Sequence, residues 1–151
     1  MSNNSIKELE NIHTNYYNKY TELYNIILDI YKKYNLDKTK NGDILVKLID
    51  SNICYKNIKL LKNAIIHAHK LKDKLTSSSI LYQSISYQIT DYTIMINILT
   101  YIINNKKNQA LQLIDNEVNK LDQLLKDLEQ LPKAPNTVPY KIIPKLNKTY
   151  G

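Results

Sequence analysis

The sequence predicts an all-α protein: an antiparallel bundle of about four amphipathic helices with coiled-coil-like packing, followed by an extended proline-rich tail. Apolar residues recur at alternating spacings of three and four along most of the chain, which places them on one stripe of a helix. This pattern stops at Pro132, the first of 4 prolines among 151 residues. A stripe this regular favours packing against another helix. We therefore expect residues 1–131 to form a helical bundle domain and residues 132–151 to form a C-terminal docking tail.

The first helix is predicted over residues 5–34. Ser5 and Glu8 have the spacing of a capping box, in which each side chain accepts a hydrogen bond from the other residue's backbone amide. Apolar residues then follow at spacings of three and four from Leu9 to Tyr34. The next eight residues are mostly polar and end in Asn-Gly, a combination typical of a turn.

A second helical region is predicted over residues 43–75, with Asp43 as its N-cap. The sequence Asp-Ser-Asn at 50–52 is a weak point at which the helix kinks or restarts. Beyond it, a broad apolar face that includes Ile53 lies opposite a narrow polar stripe. The stripe comprises Asn52, Lys56, Lys59, Asn63, His67, Lys70 and Lys74.

The third and fourth helices are predicted over residues 79–104 and 107–131. Polar and apolar residues alternate over 84–90, as in a strand, but the helical stripe continues far beyond the length of a typical strand and favours a helix. Six polar residues at 104–109 indicate a turn between two helices, with one continuous helix as the alternative. Pro132 ends the fourth helix, because proline lacks an amide hydrogen and disfavours helical geometry in the residue before it.

The tail combines its four prolines with apolar side chains. Prolines hold a chain extended, broadly like polyproline II, and a disordered segment usually contains fewer apolar residues. We interpret the tail as a protein-interaction strap that lies on its own bundle or on a neighbouring molecule. Its candidate contact residues are Pro135, Val138, Pro139, Tyr140, Ile142, Ile143, Leu146 and Tyr150.

The amino-acid composition is strongly biased. The chain has 13 tyrosines but no phenylalanine or tryptophan, and all of its 21 basic side chains are lysines. This choice of residues is typical of an A+T-rich coding sequence, as in many large viruses and phages, and a virion or phage component is one setting that it suits. The absence of arginine excludes bidentate guanidinium contacts with phosphates and carboxylates.

The tyrosines fall into two groups. Tyr16, Tyr20, Tyr82 and Tyr92 lie on apolar stripes and are predicted to belong to the core. The others lie off or beside the stripes, as tyrosines at protein interfaces often do, although the compositional bias alone would also produce such a surplus. This second group includes Tyr17, Tyr24, Tyr31, Tyr55, Tyr87 and Tyr101.

The net charge of +7 is unevenly distributed. Residues 44–79 carry seven lysines and two acids, the tail carries four lysines and no acid, and residues 111–131 carry two lysines and five acids. Lysines along the second helical region form a ridge that could bind nucleic acid or another anion, since such a row can contact successive phosphates. The alternatives are a solvated face without a partner and a docking site for an acidic protein face, such as the last helix of another copy. The ridge consists of Lys56, Lys59, Lys70 and Lys74.

No catalytic, cofactor or metal site is predicted. His67 and His69 are two residues apart on a helix and point in different directions, so they cannot bind one metal ion. The apolar neighbours of Cys54 favour a buried thiol over a nucleophile. The acids mix with lysines on outer helix faces, and two glycines could hardly build a phosphate-binding loop. We expect neither an enzyme nor a small-molecule substrate.

The sequence also predicts a soluble, intracellular protein. Its first residues lack the basic and apolar regions of a secretory signal, and a single cysteine fits a reducing compartment. The longest apolar block, residues 94–103, is too short to span a membrane. We expect a cytoplasmic location, or incorporation in a virion assembled there, without a membrane partner.

The favoured function is that of a non-catalytic structural or adaptor protein, which builds a larger assembly through helix packing and its C-terminal arm. Its partner is then another protein or a second copy of the chain. One alternative is a small basic packaging or accessory protein that binds nucleic acid. Another is a helical inhibitor of a different protein.

Overall fold

The protein is all-α, as predicted, and its helices pack antiparallel. The computed structural model describes residues 3–36 and 42–130, in which no strand occurs. The helices are α1 (Asn3–Lys33), α2 (Gly42–Leu48), α3 (Ser51–Lys72), α4 (Ile80–Ile103) and α5 (Lys107–Gln130). The predicted docking tail and the end of the fourth predicted helix at Leu131 lie outside these residues.

The described residues contain five helices instead of about four, because the second predicted region restarts. Asp50 has extended backbone angles, φ −67° and ψ 141°, and its side chain accepts a 3.0 Å hydrogen bond from the Asn52 amide. A short acidic side chain bonded in this way caps the N-terminus of a new helix, so the preceding helix ends before it. The weak point predicted at 50–52 is therefore the boundary between α2 and α3.

Two asparagines end long helices without the aid of glycine. Asn35, after α1, has φ 49°, and Asn105, after α4, has φ 61°. At the first site the Leu36 amide donates to the Tyr31 carbonyl at 2.9 Å, the long-range bond of a Schellman motif, and the same bond recurs after α4. A turn between the two helices is thereby confirmed, although it covers 104–106 and not 104–109, and the continuous-helix alternative is wrong.

The predicted start of the first helix is wrong by two residues. α1 begins at Asn3, so Ser5 lies inside the helix and does not cap it. No proline or glycine precedes Ser5 to prevent helical geometry there. A capping-box spacing is thus compatible with a position inside the first turns of a longer helix.

The serines and threonines that give α4 its strand-like composition have their hydroxyl groups hydrogen-bonded within the helix. Ser84, Ser86, Thr90 and Thr93 each donate to the carbonyl four residues earlier, at 2.9, 3.0, 3.3 and 2.9 Å. Such bonds let serine and threonine occupy a helix interior. They account for a helix whose residue types also suit a strand.

The bundle has α1 beside α3, α3 beside α4, and α4 beside α5. α1 also reaches α5, where the Tyr31 hydroxyl donates to Asp115 at 2.5 Å. α2 lies against the start of α5 and also contacts α1. One large apolar cluster joins all five helices, and a smaller one around Leu71 and Ile85 joins the start of α1, the end of α3 and the start of α4.

Gly42 allows α2 to approach α5 closely. A Cβ atom added there would lie 2.5 Å from the Lys107 Cβ and 3.2 Å from the Lys107 carbonyl carbon. We expect Gly42→Ala to lower the free energy of unfolding by about 1–3 kcal/mol, the usual cost of overpacking. Urea unfolding followed by circular dichroism measures this change. Lys47→Ala, an exposed change in the same helix, is the control, and equal stability of both variants would contradict the prediction.

Candidate protein interface

The predicted lysine ridge is exposed, but it is not one continuous face. Lys56, Lys59 and Lys70 are exposed on α3, and Lys74 is exposed in the turn that follows. His67, assigned by the sequence to the same polar stripe, packs against α1 instead. Its Nε2–H donates to the Leu9 carbonyl at 3.1 Å, and its ring lies 5.9 Å from that of Tyr16. The histidine therefore separates the ridge into two pairs of lysines.

A groove opens beside the first of these pairs. It has a volume of about 370 Å³ and is lined by residues of α1, the end of α2 and the first half of α3. Ile26, Leu48 and Ile53 line it with 56%, 41% and 48% of their surface exposed. Lys19 and Lys56 are charged lining residues on its α1 and α3 sides. We call this surface the α1–α3 groove.

The sequence did not reveal this groove. The sequence places Ile53 on the apolar face of the second helical region, which predicts that a neighbouring helix covers it. Ile26 lies off the stripe predicted for α1. The groove arises where three helices converge, and its shape depends on the direction in which the chain leaves α2. The one feature of the sequence that could have indicated an uncovered apolar surface here is the breadth of the apolar face predicted for the second helical region.

A second incompletely covered apolar surface lies on the far half of α5. Apolar residues recur along α5 at spacings of three and four from Leu111 to Leu128, and this stripe is buried only as far as Val118. The four leucines beyond it are half-buried and lie outside both core clusters. They share one side of the helix, which we call the α5 distal face: Leu121, Leu124, Leu125 and Leu128.

Acidic side chains accompany the α5 distal face. Asp122 and Glu129 are exposed and lie along one edge of the leucines, seven residues apart. Asp127 is exposed at the opposite edge, one turn from Leu124, and the exposed Lys120 lies at that edge too. The face is therefore apolar with an acidic edge, in contrast to the lysines beside the α1–α3 groove.

Tyrosines fill the space between α1, α4 and α5. Tyr17 and Tyr24, assigned by the sequence to an interface group, are buried, so that interpretation is wrong for them. The Tyr92 ring lies 6.2 Å from that of Tyr17 and 5.4 Å from that of Tyr20. Tyr55 and Tyr87 are 60% and 56% exposed and keep their candidacy for an interface.

Two buried acids accompany these tyrosines. Asp91 and Glu117 line a cavity of about 20 Å³ together with Tyr20 and Tyr24, room for about one water. Burial, and next the charge of Asp91, raises the pKa of Tyr20 well above its usual value. Burial, and next the charge of Glu117, raises the pKa of Tyr24. These hydroxyls therefore stay protonated near neutral pH.

Cys54 is fully buried, as the sequence predicts. Burial is the main cause that raises its pKa to about 11, and the nearby Asp50 charge adds to the effect. A thiol with so high a pKa is rarely a thiolate near neutral pH, the form in which cysteine reacts.

The buried His13 couples folding to pH. Its Nε2–H donates to the Gln88 side-chain oxygen, and no hydrogen-bond partner within the described residues faces its Nδ1. Protonation would place an unsatisfied charge in the core, so burial lowers the pKa of His13 below its ordinary value of 6.5. The hydrogen bond to Gln88 opposes that shift, and the charge of His67 adds to it.

We expect the free energy of unfolding to fall as pH is lowered below about 6.5, because the unfolded chain then binds a proton at His13 that the folded protein does not. The loss stops below the folded pKa. Urea unfolding at about pH 7.5 and pH 5 measures it. His13→Gln should reduce this pH dependence, and His69→Gln, an exposed change, should preserve it. An unchanged pH dependence in His13→Gln would contradict the assignment.

Within residues 3–36 and 42–130, no three His, Cys, Asp or Glu side chains are grouped as metal ligands. Among the same residues, none of the helices has both the length and the apolar character needed to cross a bilayer.

Comparison with known proteins finds no matching family model, curated protein or solved structure.

Proposed function

We propose that this chain is a non-catalytic structural or adaptor protein, which self-assembles through helix packing and a C-terminal arm formed by residues 132–151. The observation that carries the proposal is the apolar surface left exposed around the α1–α3 groove. Ile26, Leu48 and Ile53 are each more than 40% exposed and line one groove. Single exposed apolar residues are ordinary, whereas a contiguous apolar surface with a polar rim is typical of a protein interface.

The chemistry of the arm supports the same proposal. Its apolar residues alternate with prolines, and it contains four lysines and no acidic residue. Extended segments of this kind bind through backbone contacts and side-chain pockets. A fully extended chain of 20 residues reaches about 60 Å, compared with about 36 Å for the 24 residues of α5. The arm is therefore long enough to reach a neighbouring molecule.

Removal of the arm tests this part of the proposal. The full chain and a 1–131 variant are compared by light scattering after size-exclusion chromatography, with circular dichroism as the control for folding. We expect the variant to retain its helices and to have a lower oligomer mass. An unchanged oligomer in the folded variant would show that the arm has no part in assembly.

Nucleic-acid binding is the second candidate, favoured by the exposure of the four ridge lysines. It predicts that binding to a short DNA or RNA duplex weakens steeply with salt. Changing Lys56, Lys59, Lys70 and Lys74 to Gln should weaken it further. Lys120→Gln/Lys126→Gln, which changes exposed lysines on α5, is a control. Equal affinity of the ridge variant and this control, in a fluorescence anisotropy titration, would exclude the ridge as the site.

A further inference from the structure

We infer that the α5 distal face of one molecule docks into the α1–α3 groove of a second copy, so that assembly proceeds head to tail. This inference rests on the proposed self-assembly and names the surfaces that carry it. Both surfaces are incompletely covered within the bundle, and both are apolar. A helix that places its apolar side in a groove is a common mode of protein recognition.

The two surfaces match in length. The lining residues of the groove span 19–27 on α1 and 53–60 on α3. At 1.5 Å per residue, these stretches extend about 12 Å and 11 Å. The leucines of the α5 distal face span 121–128, again about 11 Å. One helical segment of two turns therefore fits along the groove.

The two surfaces are also complementary in charge. The groove has Lys19 and Lys56 among its lining residues, with Lys59 exposed one turn further along α3. Among the described residues, Glu22 is the one acid that lines it. On the partner helix, Asp122 and Glu129 form the acidic edge beside the leucines. Opposite charges at the rim favour this pairing and speed encounter, while the leucines supply the buried apolar area.

The position of the surfaces makes the contact directional. α3 neighbours α1 and α4, whereas α5 neighbours α4, α2 and, through the Tyr31–Asp115 bond, α1. The groove and the distal face thus belong to different corners of the bundle. When each copy offers one surface and accepts the other, the interface is heterologous and builds rings or filaments.

A charge-swap experiment on the full chain tests the inference. The acid-reversed variant is Asp122→Lys/Glu129→Lys, and the ridge-reversed variant is Lys56→Glu/Lys59→Glu. Each variant alone places like charges at every interface, and the apparent dissociation constant for self-assembly should rise by about tenfold or more. An equimolar mixture restores opposite charges at both types of contact. It should therefore regain the wild-type mass and contain the two variants in a 1:1 ratio.

The matched control for the acid-reversed variant is Glu8→Lys/Asp73→Lys, which makes the same change in net charge at exposed positions outside α5 and outside the groove. Circular dichroism reports folding. If the ridge-reversed protein fails to fold, Lys56→Gln/Lys59→Gln is compared alone with the wild type, and it should also assemble less tightly because the attraction is lost. Light scattering after size-exclusion chromatography measures every mass.

The other outcomes overturn the inference in distinguishable ways. Wild-type mass in both reversed variants would exclude these surfaces and leave the proposed assembly function standing. If the reversed variants have a lower mass and their mixture does not regain the wild-type mass, the charged residues of these surfaces contact another occupant, such as the arm. A wild-type protein that stays monomeric at every concentration would remove the proposed function, and the inference with it.

Discussion

Replacing Tyr92 with alanine is expected to lower the free energy of unfolding by about 3–5 kcal/mol, the usual cost of deleting a buried aromatic ring. Tyr92 is fully buried on α4 and contacts the rings of Tyr17 and Tyr20 from α1. In a chain without phenylalanine or tryptophan, these tyrosines supply the aromatic core. The cavity left by the substitution would lie where α1 and α4 meet. Urea unfolding followed by circular dichroism measures the loss.

Tyr87→Ala is the matched control for this prediction. Tyr87 lies on the same helix, and 56% of its surface is exposed. The same deletion there should change stability by no more than about 0.5 kcal/mol, as is typical of surface substitutions. Similar losses in both variants would show that Tyr92 is not the centre of the core.

Leu71→Ala is expected to lower the free energy of unfolding by about 2–5 kcal/mol. Leu71 is fully buried in the smaller core cluster, with Ala68 and Ile85. Half-buried residues from the start of α1 pack against the same cluster. Its loss would therefore loosen one end of the bundle, where α1, α3 and α4 meet. Thermal or urea unfolding measures the change.

The same experiment tests whether the two core clusters unfold together. If they form one cooperative unit, far-ultraviolet circular dichroism and tyrosine fluorescence give coincident transitions in the variant. Ile66→Ala, at a residue on the same helix with 56% of its surface exposed, is the control. Separate transitions for the two signals would contradict a single cooperative bundle.

The helices themselves could be predicted from local chemistry. The three-four spacing identified α4 and the first half of α5, where the stripe positions are buried or half-buried. The Asp-Ser-Asn sequence marked the boundary between α2 and α3 because such side chains compete for backbone hydrogen bonds. The asparagine ends of α1 and α4 were harder to locate, since asparagine adopts the left-handed conformation less often than glycine.

The buried side of α1 was only partly predicted. The stripe read from the sequence included Ile12, which is 44% exposed, and omitted Tyr17, Tyr24 and Leu28, which are buried. A single narrow stripe assumes one facing helix, whereas α1 packs beside α3 and also contacts α4 and α5. Contacts on several sides widen and rotate the buried arc, and the position of those neighbours is a tertiary property.

The candidate interface, too, could be predicted only in part. Exposure of Lys56 and Lys59 follows from amphipathicity, because charged residues rarely occupy a helix face that packs on a core. The diversion of His67 towards the Leu9 carbonyl depends on the register of α1 against α3. The groove requires the position of α2 as well. The periodicity of a single helix contains no information on the register between α1 and α3 or on the position of α2.

The mass of the full-length protein tests the central claim of self-assembly most directly. Light scattering after size-exclusion chromatography, over a range of concentrations at low and high salt, provides it. We expect masses that are multiples of the 17.7 kDa chain, that rise with concentration, and that decrease at high salt as the charged rim contacts are screened. A constant 17.7 kDa at every concentration and salt would contradict the claim.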